Sequence, residues 1–181
     1  MSSIYREIFD LEKNWHGFNR NPFSKTDLIE LAERNSIVVL KDHSVKNACV
    51  FHYERRKVVL YNPHLPEIDF ALSLGHELGH IGLGHVTPHS KPLHANYLSN
   101  SSIEKDAGII GFLFWIPSSD LYQMENEGRL NLEEMYNSCK GYRYGDLGGA
   151  DLEKVCTARL RIYNALKRMT DRDNSHRQYC Y

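Results

Sequence analysis

The chain contains no apolar run approaching the roughly 18 residues of a membrane-spanning helix, so no membrane span is expected. It also has little net charge, since 22 Lys and Arg against 23 Asp and Glu leave −1. Such a balance supplies no basic field for nucleic acid or an anionic membrane, and direct nucleic-acid binding is not expected. Cysteine is sparse: Cys49, Cys139, Cys156 and Cys180 are scattered and form no CxxC pair, which fits reduced thiols in a cytosolic protein. The N-terminal stretch MSSIYREIFDLEKNW carries charges every few residues and lacks an apolar centre, so it does not read as a secretory signal. Internal repeats and low-complexity segments are absent. The composition therefore predicts a cytoplasmic globular protein. Its 181 residues suffice for one domain with a sizeable core, with two small lobes as the alternative.

Against this plain background one stretch stands out, IDFALSLGHELGHIGLGH from Ile68 to His85, which holds His76, Glu77 and His80 in the pattern HExxH. Residues four apart lie on one face of an α-helix, so His76 and His80 can bind one metal together. A catalytic zinc site leaves one coordination position open for water, and a carboxylate beside it can take up the water proton. Glu77 occupies that place in the pattern. At about 100° per residue, His80, Leu72 and Leu83 fall near His76, whereas Phe70, Leu74, Leu78 and Ile81 cluster on another side. This phase predicts a helix with one side in the core and its histidine side open to a cleft. Gly75 and Gly79 each cost a helix about 1 kcal/mol, and close approach of another backbone would explain them. The plainer alternative is two buried, hydrogen-bonded histidines and no metal.

Elsewhere the pattern reads as mixed secondary structure. Ile4, Ile8 and Leu11 have helical spacing, and Ser24 with Asp27 resembles a capping box for a helix burying Leu28, Leu31 and Ala32. Three β-rich runs, Ile37–Leu40, Ala48–Tyr53 and Val58–Tyr61, predict a small, largely antiparallel sheet ahead of the motif helix, the last two joined by a charged turn. His43, His52 and His64, in or beside these strands, read as surface or satisfied residues. Gly82 and Gly84 are suited to ending the motif helix. His85 fails the register of the metzincin pattern HExxHxxGxxH, because Leu83 and Val86 stand where that pattern needs Gly and His. Residues 86–102, including His89, His94 and Tyr97, read as a loop.

Ser101 or Ser102 then caps a predicted helix with Glu104 and Asp106 in its first turn. On the plain reading these acids only favour the helix dipole. On the functional reading Glu104, 24 residues beyond His80, supplies the third zinc ligand from a second helix crossing the first, as in gluzincins. Beyond Pro117, helices are expected near 118–124, 132–139 and 151–169, the last with Leu152, Val155, Ile162, Leu166 and Met169 near one face. Gly141–Gly149 reads as a loop, and Asp171–Tyr181 as a frayed polar tail.

With ALSLGHELGHIGLGH followed by EKDAGIIGFLFWIP, the chain resembles the ImmA/IrrE family of metallopeptidases, over roughly residues 24–168 and with specificity concentrated in those two segments. The resemblance implies an α+β, zincin-like fold: a small sheet packed on the HExxH helix and a second metal-ligand helix, followed by C-terminal helices. Residues 1–117 would form the metallopeptidase core, with 118–181 a helical region packed on the same domain. It also implies zinc held by His76, His80 and Glu104, Glu77 as the catalytic base, and a protein substrate. That substrate would be a helix-turn-helix transcriptional repressor of phage or mobile-element type. Two positions depart from the family pattern. Asp106 replaces a frequent Glu, and Gly108 replaces a frequent Asp or Asn suited to orienting a metal-bound histidine. These departures open the alternative of a catalytically weak or inactive zincin that regulates a partner by binding.

Overall fold

A computed structural model of the protein describes residues 4–94, 101–142 and 149–178, which fall into two compact units, Met1–Asp120 and Leu121–Tyr181. In the first unit α1 (Ile4–Asn14) buries Ile4, Ile8 and Leu11, the three residues that share its apolar face. Helix α2 (Lys25–Arg34) begins at the expected capping box. Ser24 Oγ accepts from the Asp27 amide while the Asp27 carboxylate accepts from the Ser24 amide, satisfying donors that a helix start otherwise leaves open. Its buried residues are Leu28, Leu31 and Ala32.

The sheet has four strands in the order β1-β3-β2-β4: β1 (Val38–Lys41), β2 (Ala48–Tyr53), β3 (Arg56–Tyr61) and β4 (Leu93–His94). Strands β2 and β3 form the expected hairpin, with Tyr53 opposite Arg56 across a two-residue turn in which Glu54 adopts φ 52°. Two of the three pairings are antiparallel, and β1 runs parallel to β3 with Val38 opposite Val58. The sequence pattern predicts loop throughout residues 86–102. The structure instead adds β4, which pairs Leu93 with Val50 on the free side of β2. Residues 95–100, Tyr97 among them, lie outside the described part.

Helix α3 (Glu67–Gly82) starts at Pro66 and ends where expected, with Leu83 as its C-cap and Gly84 at φ 72°. Every residue from Phe70 to Ile81 is buried. The expected open histidine side is therefore not seen, because the polar face is covered like the apolar one. Its cover is α4 (Ser102–Trp115), which makes the most extensive contact between described elements with α3. The glycines explain how near the two helices come. A Cβ on Gly79 would stand 2.6 Å from the Ala107 carbonyl oxygen, and one on Gly111 would stand 3.1 Å from the His76 amide nitrogen. Backbone meets backbone there, which offsets the helix cost of glycine.

The far end of α4 is held by aromatic packing and two hydrogen bonds. Phe114 stacks on Trp15 at 5.7 Å and meets Phe18 edge-on at 4.8 Å. The Phe23 amide donates to the Phe114 carbonyl, and the buried Asn19 accepts from the Ser118 amide. The position of α4 against α3 is thus set at both ends.

The second unit follows α5 (Ser118–Asn126), whose first residues belong to the first unit, with α6 (Leu132–Tyr142) and α7 (Gly149–Gln178). On α7, Val155, Ile162 and Leu166 are buried as the sequence stripe predicts, and Met169 is half-buried. The helix runs to Gln178 rather than fraying from Asp171. Glu125 accepts hydrogen bonds from the Tyr163 hydroxyl and the Lys167 ammonium inside this unit. The Leu152 side chain and most of the expected Gly141–Gly149 loop lie outside the described residues. No described helix is long and apolar enough to cross a membrane.

Candidate metal centre

One turn of α3 aligns the two imidazoles of HExxH, and the first turn of α4 brings a carboxylate to them. His76 Nε2 stands 3.0 Å from Glu104 Oε2, His80 Nε2 stands 3.1 Å from His76 Nε2, and His80 Nε2 lies 3.2 Å from Glu104 Oε1. The capping of α4 helps place the acid, since Ser101 Oγ accepts a hydrogen bond from the Glu104 backbone amide. Among the described residues, His76, His80 and Glu104 form the one group of three or more metal-ligating side chains.

Burial decides the charge of the histidines. Both are fully buried, and desolvation pushes His76 down to about 4, helped by His85. For His80 desolvation again leads, followed by His76 and His85, and the result is about 3. Each imidazole is therefore neutral near pH 7, the form in which the ring nitrogen can ligate a metal. Glu104, at 12% side-chain exposure, is the part of the group nearest solvent.

These donors fit a small divalent cation. Ligand atoms on a tetrahedron of about 2.0–2.1 Å radius stand about 3.3 Å apart, close to the separations here. Two neutral imidazoles and a carboxylate also aim several lone pairs at a common point, where few protons are available to separate them. A cation at that point resolves the crowding, and a two-nitrogen, one-oxygen donor set suits zinc among the divalent metals.

Glu77 is fully buried in the same turn of α3. Cys49 on β2 has its thiol pushed up first by burial and then by the charge of Glu77. His85, excluded as a metzincin-type ligand, is absent from the donor group. Its Nδ1 nevertheless stands 3.0 Å from His80 Nδ1, a contact that sequence periodicity missed because it forms beyond the helix end. Asp106 is half-buried, also outside the donor group, and interacts electrostatically with His85. His76 Nδ1, by contrast, is buried with no hydrogen-bond partner among the described residues. Gly108 lies one turn beyond Glu104 on α4, near the α3-facing Ala107 and Gly111, and has no side chain to offer that nitrogen. His43 and His64 contact one another at the surface, away from any such group.

An HExxH helix, a crossing helix that supplies a glutamate, and a small mixed sheet define a zincin-like metallopeptidase architecture. The family comparison names the particular branch. The Peptidase_M78 family, described as an IrrE N-terminal-like domain, matches residues 32–140, and the chain belongs to it. No curated protein matches the chain. No solved structure matches it either. The matched region contains all of HExxH and Glu104, so family and geometry bear on the same residues.

Proposed function

We propose that the protein is a zinc-dependent, site-specific endopeptidase in which His76, His80 and Glu104 hold the metal and Glu77 is the general base. The observation that carries the proposal is the convergence of the two Nε2 atoms and the Glu104 carboxylate within 3.2 Å of one another. A metal bound there supplies Lewis acidity, polarising a scissile carbonyl and acidifying water. The two imidazoles offer neutral nitrogen ligands because burial keeps protons off them. The Glu77 carboxylate takes a proton from the attacking water and returns it to the leaving amine. Close packing of α3 against α4 keeps bulk water away from these groups.

The proposed substrate is a helix-turn-helix transcriptional repressor of phage or mobile-element type, cleaved in the cytoplasm to release transcription. Support comes from membership in the IrrE N-terminal-like family and from the sequence resemblance to ImmA/IrrE proteins. Cys49 and Cys156 are buried thiols, compatible with a reducing compartment. A net charge of −1 favours recognition of the protein substrate over recognition of DNA. Purified protein with zinc is expected to cut a candidate repressor at a defined bond, whereas Glu77→Gln is not. No cleavage, or equal cleavage by both proteins, would contradict the proposal.

One observation favours a second reading. Buried His76 Nδ1 has no hydrogen-bond partner among the described residues, which weakens the hold on a ligand imidazole. A regulator that acts by binding alone would keep its affinity and its biological effect in Glu77→Gln, while a peptidase would keep only affinity.

A further inference from the structure

The two histidines of the proposed centre are supported differently, and the difference assigns a task to a residue outside the donor group. An imidazole that ligates through Nε2 carries its single proton on Nδ1, and that buried N–H needs an acceptor. For His80 the described structure provides one. His85 Nδ1 lies 3.0 Å from His80 Nδ1, with the ring centroids 5.2 Å apart and the planes at 61°. The chain is shaped to bring it there: Gly84 adopts φ 72°, and the His85 amide donates to the His80 carbonyl at 2.9 Å. A left-handed residue is cheap only as glycine, so the fold back onto the last turn of α3 rests on a residue suited to it.

We infer that His85 is a positioning residue of the metal centre: its Nδ1 accepts the hydrogen bond from His80 Nδ1–H, fixing the tautomer and ring orientation that present His80 Nε2 to the metal. With Nδ1 accepting, the remaining proton of neutral His85 sits on its Nε2. Asp106, two residues beyond Glu104 on α4, interacts electrostatically with this imidazole. The start of α4 contributes Glu104 to His80 directly, on the Nε2 side of the ring, while His85 meets the Nδ1 side. His85 touches no ligand position, so its effect is on how tightly and in what geometry the metal is held.

This inference rests on the proposed metal centre, and its test separates the two. Zinc affinity is measured on the full chain by competition with a chromophoric chelator, and the visible spectrum of the cobalt-loaded protein reports the geometry at the metal. His85→Gln retains an acceptor, whereas His85→Leu and His85→Phe remove it. Melting of the metal-free variants identifies those that are folded. The expected result is near-wild-type affinity for His85→Gln and a loss of about 10–100-fold for the folded non-accepting variants, with an altered cobalt spectrum. Wild-type affinity and spectrum in His85→Leu or His85→Phe would overturn the role of His85 while leaving the metal centre intact. Equal loss in His85→Gln would also overturn it. A wild type that binds neither zinc nor cobalt would overturn the metal centre and this inference together.

Discussion

Gly79→Ala adds one methyl group at the place where the backbones of α3 and α4 meet. The new Cβ would stand 2.6 Å from the Ala107 carbonyl oxygen, 3.0 Å from Ile110 Cβ and 3.1 Å from Ala107 Cα. Ordinary contacts begin near 3.5 Å, so α4 must withdraw by about 1 Å. The obstructing atoms are mostly backbone and cannot rotate aside. Overpacking of a core typically costs about 1–3 kcal/mol, and this obstruction belongs at the upper end. Alanine regains about 1 kcal/mol of helix propensity, leaving a net loss of about 2 kcal/mol. For a chain of this size that is a fall in Tm of roughly 4–8 °C. Withdrawal of α4 also carries Glu104 away from His76 and His80, so zinc affinity should fall with stability. Gly75→Ala is the internal control, because a Cβ there meets Gly111 Cα and Phe114 Cδ2 at an acceptable 3.4 Å. Circular dichroism melting and zinc titration of both variants decide the matter. If Gly79→Ala melts at or above the wild type, or Gly75→Ala is equally damaging, then backbone contact at residue 79 does not set the distance between the helices.

Other perturbations probe the electrostatics and the ends of the site. The pKa values of His76 and His80 lie below the ordinary 6.5, at about 4 and about 3, so the unfolded chain binds more protons than the folded one between those values. Stability of the metal-free protein from these residues is therefore complete above about pH 6.5 and is lost as pH falls toward 4 and below. Denaturant titrations at pH 7.5 and pH 5 should show the decline, and a flat profile would contradict the burial argument. Ser101→Ala removes the acceptor of the Glu104 amide and is expected to cost about 1 kcal/mol, read as a lower Tm; an unchanged Tm would remove Ser101 as a support for the first turn of α4. Gly108→Asp places a carboxylate one turn beyond Glu104 and is expected to tighten zinc binding by giving His76 Nδ1 an acceptor. Equal or weaker binding in a folded variant would show that residue 108 does not reach that nitrogen.

Much of the centre was legible because local rules govern it. Helical period alone placed His76 and His80 together, and the serines ahead of Glu104 marked the start of the second helix. Gly79, costly in a helix, pointed to a close neighbour before its identity was visible, whereas Gly75 has room for a methyl group at ordinary contact distance. The Ser24 and Asp27 capping box and the β2–β3 hairpin are likewise written in a few adjacent residues. What escaped depends on distant packing. The parallel pairing of β1 with β3 follows from strand order, on which alternation of residues is silent. Strand β4, two residues long, is too short to carry a pattern. The amphipathic phase of α3 suggested an open histidine side, but phase separates polar from apolar residues without saying what covers either. His85 escaped because a ligand pattern tests only for direct metal contact, whereas its place behind His80 depends on the turn at Gly84.

The central claim is that His76, His80 and Glu104 bind one metal together. Elemental analysis of the purified wild type beside Glu104→Ala, both folded by circular dichroism and equilibrated with the same zinc buffer, tests it most directly. A single zinc per wild-type chain and a marked loss in Glu104→Ala are predicted. Unchanged zinc content in Glu104→Ala would contradict the three-residue centre.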